Sequence, residues 1–226
     1  MTQQETRQET PFDAGTEFDR QVGTLVARGY PALAGLDEQG FAALLAPLRA
    51  TATGRAGGMT PPVEGRVPFV LVVTRELAPI EETITRTTLS RRTKPGVIDR
   101  HYAEGDIATF VPIKEVEIPD ARAYLLFDVE RGEEFCGAIP NEAMAVIASR
   151  ERTLLTMEEG IALATHFPET LAKNKCFSLG GSRNGDRRVP ALWISQNAPK
   201  LGWCWAGNPH TWLGMASAGD RAGSLG

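Results

Sequence analysis

The chain has 226 residues, of which 42% are hydrophobic and 23% charged, and its formal net charge is −4 at pH 7. This composition is typical of a globular protein and excludes a globally disordered chain. The mild acidity argues against nucleic acid or a membrane surface as partners. No apolar run approaches the ~20 residues of a membrane span, and the polar N-terminus lacks a secretory pattern. Three widely spaced cysteines suit a reducing compartment, so we expect a cytoplasmic protein.

The first quarter of the chain predicts a tail and two helices. Residues 1–15 are expected to be a mobile tail, and residues 16–50 a helical segment. The first helix should end at Gly29, and Asp37 should cap the second. Their apolar faces repeat at helical spacing, through Phe18, Val22, Leu25 and Val26 and then Phe41, Leu44, Leu45 and Leu48. The Gly- and Pro-rich residues 51–66 are typical of a linker.

Residues 67–221 predict one α+β core. The apolar run VPFVLVV (67–73) indicates a strand buried on both faces. TITRTTL (83–89) alternates like a strand, but its propensities also allow a helix. Residues 90–106 are polar and contain the turn sequences Pro95-Gly96 and Glu104-Gly105, so we expect a surface excursion, that is, a loop on the surface. IATFVPI (107–113) and AYLLFDVE (123–130) predict further strands.

Two central helices and a C-terminal β-meander complete the prediction. IPNEAMAVIASRER (139–152) is the first helix, and the second begins at a capping box, Thr156 to Glu159, and ends at Pro168. Four strand-like segments then follow, KCFSLGG, RRVPALWIS, KLGWCWAG and HTWLGMASA. We therefore expect N-terminal helices, a mixed or mostly antiparallel sheet and an antiparallel meander.

The stretch LGWCWAGNPHTWLG (201–214) holds three of the four tryptophans. On a strand, Trp203 and Trp205 point to one face and Cys204 to the other, and Trp212 or Trp193 could join them from neighbouring strands. Such indoles either stack a ligand or fill the buried face of the sheet. As a binding wall, Trp203, Trp205 and Trp212 are the candidate residues.

Polar candidates surround this stretch. His210, in the turn GNPHTW, suits acid–base work, and Glu134 would be its partner. Arg183 and Arg188, in LGGSRNGDRR (179–188), could hold an anionic group. Each also has a purely structural interpretation as a turn, a hairpin or a solvated acidic loop. Cys136 is a poor nucleophile candidate, since its acidic neighbours should raise the pKa of its thiol.

No spacing typical of a metal site, a Walker loop, a nucleophile elbow or a dinucleotide fingerprint occurs in the sequence. We therefore assign no metal residues, and no cofactor can be named. His166 and Glu169 are separated by Pro168, which ends the helix that would align them.

Several long stretches resemble an uncharacterised actinobacterial, Streptomyces-like family known only as a domain of unknown function. They are PFVLVVTREL, AYLLFDVERGEEFCG, EEGIALATHFP, CFSLGGSRNGDRRVPALWIS and KLGWCWAGNPHTWLGMASAG. The resemblance covers most of residues 16–221 and implies a bacterial cytosolic protein. It carries no activity, cofactor or catalytic residue.

The sequence thus favours a protein that binds a small polar or anionic metabolite in a Trp-lined pocket of the C-terminal meander. If chemistry occurs there, the protein also transforms this metabolite. One alternative is a non-enzymatic regulatory or assembly partner that docks through loop 78–106. A second is a metal- or haem-dependent enzyme that uses His166 or His210. A homodimer is expected only from the general frequency of dimers.

Overall fold

The computed structural model describes residues 12–224, so most of the predicted tail lies outside the described residues. The helices are α1 (Ala14–Ala27), α2 (Tyr30–Leu33), α3 (Glu38–Leu45), α4 (Pro47–Gly54), α5 (Ile80–Arg86), α6 (Asp106–Thr109), α7 (Pro140–Ser149) and α8 (Met157–His166). No helix in this part of the chain has the length and apolarity needed to cross a membrane.

Within residues 12–224, the strands form two five-stranded sheets and one two-stranded ribbon. The strands are β1 (Arg66–Val73), β2 (Val97–Ile98), β3 (Val111–Pro112), β4 (Ala123–Glu130), β5 (Thr153–Leu154), β6 (Cys176–Ser178), β7 (Ser182–Arg183), β8 (Arg188–Ser195), β9 (Ala198–Trp205), β10 (Leu213–Met215), β11 (Ser217–Ala218) and β12 (Asp220–Ala222). The first sheet has the order β1-β4-β11-β5, with β12 also on β4. The second has the order β10-β6-β8-β9-β2, and β3 pairs with β7. Most pairs are antiparallel, so the predicted α+β class is confirmed.

Strand β1 is buried on both faces, as its apolar run predicts. Phe69, Leu71 and Val73 pack against the N-terminal helices. Val70 and Val72 pack into a second core that includes α8 and the second sheet. The first sheet therefore lies between two apolar layers, and α8 is almost wholly buried.

The N-terminal helices differ from the prediction in number. Asp13 caps α1 by accepting a hydrogen bond from Thr16 N at 3.0 Å, and the cap of Asp37 on α3 is confirmed. Pro47 starts a separate helix, α4, because a proline in the first turn loses no helical hydrogen bond. The predicted linker, residues 51–66, consequently begins inside a helix.

Two central segments were predicted wrongly or left open. Residues 80–86 form helix α5, so the first four residues of TITRTTL are helical, and the chain is extended at Thr87. IATFVPI is not a strand: its first half forms α6, which starts after Gly105 in a left-handed conformation (φ 76°), and only β3 is extended. Strand β4 and helices α7 and α8 lie where the sequence predicts them.

The C-terminal strands form a meander only in part. Strands β6, β8 and β9 pair antiparallel in succession. Strand β10 returns to the opposite edge and runs parallel to β6, and β11 and β12 join the first sheet. Trp212, which precedes β10, is therefore not on a strand next to Trp203.

The outer edge of β1 is covered by side chains instead of a strand. Buried Gln21 on α1 donates to Phe69 O at 3.0 Å and accepts from Leu71 N at 2.7 Å. Buried His166, the last residue of α8, contacts Leu71 O through Nε2 at 2.9 Å. A neutral imidazole with its proton on Nε2 donates this bond, because a carbonyl oxygen only accepts.

The stability of the fold should fall with acid through His166. Burial lowers the pKa of this imidazole to about 3, against the opposing effect of the hydrogen bond to Leu71. Below pH 6.5 the His166 imidazole is protonated in the unfolded chain but stays neutral in the folded protein. The free energy of unfolding therefore decreases progressively as the pH falls below 6.5. At about 1.4 kcal/mol per pH unit, the loss should reach roughly 2 kcal/mol at pH 5.

Urea unfolding at pH 7, 6 and 5 measures this loss. His166→Gln keeps an amide donor toward Leu71 and should flatten the dependence between pH 6.5 and 5. An unchanged slope in this variant would show that other groups cause the acid sensitivity.

A buried ion pair joins α8 to the C-terminal strand. Arg221 on β12 donates from Nη2 to Glu159 Oε2 at 2.8 Å, and their side chains are 5% and 0% exposed. Glu159 also accepts from Tyr124 Oη at 2.8 Å and from the backbone N of Thr156 at 2.7 Å. The predicted capping box is thus confirmed, and its glutamate has a second role as the counter-ion of a distant arginine.

Candidate functional site

The register of β8 and β9 divides the tryptophans between the two faces of the second sheet. Pro190 pairs with Trp203 and Arg188 with Trp205, whereas Trp193 pairs with Lys200. Paired residues share a face and neighbours along a strand alternate. Trp203, Trp205 and Arg188 therefore lie on one face and Trp193 on the other. The predicted shared face of Trp203 and Trp205 is confirmed.

On the first face, the two indoles form an edge-to-face pair that we call the Trp203–Trp205 platform. Their ring centroids are 4.8 Å apart, and Trp205 is 44% exposed. The Arg188 guanidinium lies 5.6 Å from the Trp203 ring centroid. The structure thus brings three of the predicted ligand-binding residues together.

The arginines beside this platform already have partners. Arg188 pairs with Asp106 and, at 2.6 Å, with Asp186. Hydrogen bonding to Asp106 raises the pKa of Arg188, and the same bond lowers the pKa of Asp106. Arg183 donates from Nη2 to the backbone oxygen of Asp186 at 2.9 Å. An anionic ligand would have to compete with these carboxylates for Arg188.

On the opposite side, Trp193 and Trp212 form a second edge-to-face pair with centroids 6.0 Å apart. They line a cavity of about 250 Å³ with Lys173, Asn174, Cys176 and Ile194, which we call the Trp193–Trp212 pocket. Gly202 makes room for its wall, since a Cβ there would lie 1.9 Å from Cη2 of Trp193. The His210 ring packs against Trp212, with centroids 5.3 Å apart.

Lys173 provides the positive charge of this pocket. Its side chain is exposed, and within residues 12–224 it forms no ion pair, whereas Lys175 is held by Glu64 at 2.6 Å. Burial raises the pKa of the Cys176 thiol, so this lining residue is a neutral, apolar contact at pH 7.

Glu134, predicted as the acid–base partner of His210, makes no hydrogen bond or ion pair with it within residues 12–224. Its carboxylate accepts from Arg150 at 2.7 and 3.0 Å, which lowers its pKa. The nearest link between the two segments is a backbone bond from Gly137 N to His210 O at 2.9 Å. The pKa of Cys136 is raised, first by burial and then by Glu133, in the direction that the sequence predicts.

An aspartate–histidine pair at the edge of the second sheet is not predicted from the sequence. His101 Nδ1 lies 2.5 Å from Asp99 Oδ1, and Lys200 Nζ lies 3.2 Å from Asp99 Oδ2. Against the opposing effect of burial, hydrogen bonds from His101 and Lys200 keep the pKa of Asp99 low. The signal was the Asp-X-His spacing directly after β2, inside the segment predicted as a surface excursion.

A cavity larger than the Trp193–Trp212 pocket is also not predicted from the sequence. It measures about 610 Å³ and lies against residues 55–68, Phe127 and Asp128, away from the tryptophans. Its charged walls are already paired, Arg66 with Asp128 at 2.7 Å and Arg55 with Asp220. The Trp193–Trp212 pocket is smaller, but its lysine is available to a ligand.

No group of three or more His, Cys, Asp or Glu side chains within residues 12–224 is arranged to hold a metal ion. His166, one of the two histidines considered for metal or haem, is buried against Leu71.

Comparison with known proteins adds a family but no activity. No curated protein and no solved structure matches the chain. A family model described as a family of unknown function, DUF5701, matches residues 24–224, which include both indole pairs and the Asp99–His101 pair. The chain therefore belongs to the DUF5701 family of unknown function.

Proposed function

We propose that the protein binds a small anionic metabolite with a flat apolar body in the Trp193–Trp212 pocket. The observation that carries this proposal is a 250 Å³ cavity with two indole walls and a lysine that has no ion-pair partner among the described residues. An apolar wall with a few polar groups that fix orientation is the usual form of a metabolite site. The edge of an indole also favours contact with a second aromatic ring.

The charge of Lys173 and the indole of Trp212 contribute separately to this binding. An exposed charge pair at about 4 Å contributes roughly 1 kcal/mol, or about fivefold in affinity. Removing one wall indole loses an aromatic contact of about 0.5–1.5 kcal/mol in addition to buried area. A neutral ligand of the same shape should depend on Trp212 but not on Lys173.

Benzoate and its neutral analogue benzamide test this division, with binding measured by ligand-observed NMR. Lys173→Ala should weaken benzoate binding about fivefold and leave benzamide unchanged. Trp212→Leu should weaken both about tenfold. Lys114→Ala is the matched control, because Lys114 is 90% exposed and does not line this pocket.

Indole emission gives an independent measurement of the same pocket. Benzoate should change the tryptophan emission of the wild type and change it less in Trp212→Leu, since Trp212 lines the cavity. Equal affinities in wild type and Trp212→Leu would contradict the proposal. A loss in Trp205→Leu alone would place the ligand on the opposite face.

If neither compound binds, the non-enzymatic alternative becomes the leading candidate. One observation favours it: residues 90–95 are all exposed and carry Arg91, Arg92 and Lys94. A partner for this segment would present acidic side chains.

A further inference from the structure

The Asp99–His101 pair lies beside the Trp203–Trp205 platform. The His101 and Trp203 ring centroids are 6.5 Å apart, at an interplanar angle of 73°. The His101 side chain is 64% exposed, whereas that of Asp99 is 12% exposed. An accessible imidazole thus stands next to accessible indole surface, on a face separate from the Trp193–Trp212 pocket.

Asp99 fixes the orientation and tautomer of this imidazole. Its Oδ1 accepts from both the backbone N and the Nδ1 of His101, at 2.9 and 2.5 Å. Lys200 holds the second carboxylate oxygen, so Asp99 is anchored on both sides. With the proton on Nδ1, the lone pair on Nε2 points away from Asp99, and Nε2 has no hydrogen-bond partner within residues 12–224. This is the arrangement of a general base oriented by a carboxylate.

The platform supplies a place for a substrate ring. Tyr102, the next residue, donates to Gly202 O at 2.9 Å and ties the histidine segment to β9. The two indoles lie on β9, and the imidazole lies in the turn that this hydrogen bond ties to the same strand. Trp203 contacts both Trp205 and His101, so a flat ring stacked on the platform would lie near the imidazole.

We propose that Asp99, His101 and the Trp203–Trp205 platform form a hydrolytic site for small aromatic esters. His101 Nε2 takes a proton from water while the water oxygen forms a bond to the ester carbonyl carbon. The tetrahedral intermediate then breaks its bond to the aryl oxygen, and the aryloxide leaves with the bonding electron pair. The imidazolium returns its proton to the departing oxygen or to solvent. Asp99 stabilises the imidazolium, and water is the only co-reactant that the reaction needs.

Hydrolysis of 4-nitrophenyl acetate by the full chain tests the proposal, after subtraction of the uncatalysed rate. His101→Gln should lower kcat/KM at least about tenfold, since a positioned general base contributes typically 10²–10⁴-fold. Asp99→Asn should lower kcat with KM unchanged, because Asp99 positions the base and does not touch the substrate. Trp205→Leu should raise KM with kcat unchanged. A change in kcat alone would identify Asp99 as a positioning residue, and a change in KM alone would identify Trp205 as a substrate-binding residue.

Lys114→Gln controls for acylation of exposed lysines and should leave the rate unchanged. His101 is largely exposed, so its replacement should not unfold the chain, and far-UV circular dichroism verifies this. A wild-type rate in His101→Gln would overturn the proposal. A loss in His210→Gln instead would overturn it too, because the catalysis would then belong to the other face.

Discussion

Replacing Glu159 by alanine should lower the free energy of unfolding by about 3–5 kcal/mol, the usual cost of leaving one charge of a buried pair without its partner. Arg221, 5% exposed, would keep its charge but lose its carboxylate. Tyr124 and the N-terminus of α8 would each lose an acceptor as well. Urea unfolding at pH 7 measures the change.

Two further variants show whether burial causes this cost. Asp19→Ala removes an ion pair with Arg49 whose side chains are 57% and 50% exposed, and should cost less than about 1 kcal/mol. The double variant Glu159→Leu, Arg221→Met removes both buried charges and should recover much of the loss. A loss below 1 kcal/mol in Glu159→Ala would contradict the structural role of the pair.

Gly132→Ala should be at least as damaging, with an expected loss of about 4 kcal/mol or more. Gly132 has φ +72°, and a Cβ added there would lie 1.8 Å from the carbonyl oxygen of Met215. Because that oxygen belongs to the backbone of β10, relief requires the turn after β4 to move away from the second sheet. Soluble yield and the thermal midpoint measure the effect.

Gly185→Ala is the matched control for backbone conformation alone. Gly185 has φ +87°, but a Cβ there meets no atom within 4 Å. Its cost should be about 1–2 kcal/mol, the penalty of a left-handed conformation for an L-residue. Equal losses in the two variants would mean that the contact with Met215 contributes nothing.

The sequence predicts those parts of the fold that depend on local chemistry. The Thr156–Glu159 capping box places the start of α8, and the apolar run 67–73 places β1 and its burial on two faces. The sequence does not predict that Glu159 pairs with Arg221, 62 residues away, because no local pattern indicates a contact between such distant residues. The strand prediction for IATFVPI is wrong for a different reason. Its apolar residues are compatible with a helix or a strand, and Gly105, in a left-handed conformation, precedes a helix.

The candidate site was predicted in part for the same reason. Alternation along one strand correctly pairs Trp203 with Trp205, since it needs no knowledge of neighbouring strands. The position of Trp212 depends on β10 pairing with β6, in which Leu213 pairs with Cys176, 37 residues earlier. Chain order suggested a different neighbouring strand. His101 was passed over because loop residues near a sheet edge gain a role only when the fold supplies their partners.

The side chains that cover β1 also affect how molecules of this protein meet one another. An uncovered strand edge is a template for pairing with a strand of a second chain. Here Gln21 and His166 occupy the hydrogen-bonding groups that such a strand would use. Because burial lowers the pKa of His166 to about 3, this cover is lost through unfolding, which acid favours from pH 6.5 downward, and not through protonation of the folded protein. Acid tolerance and resistance to self-association in this protein therefore depend on the same imidazole.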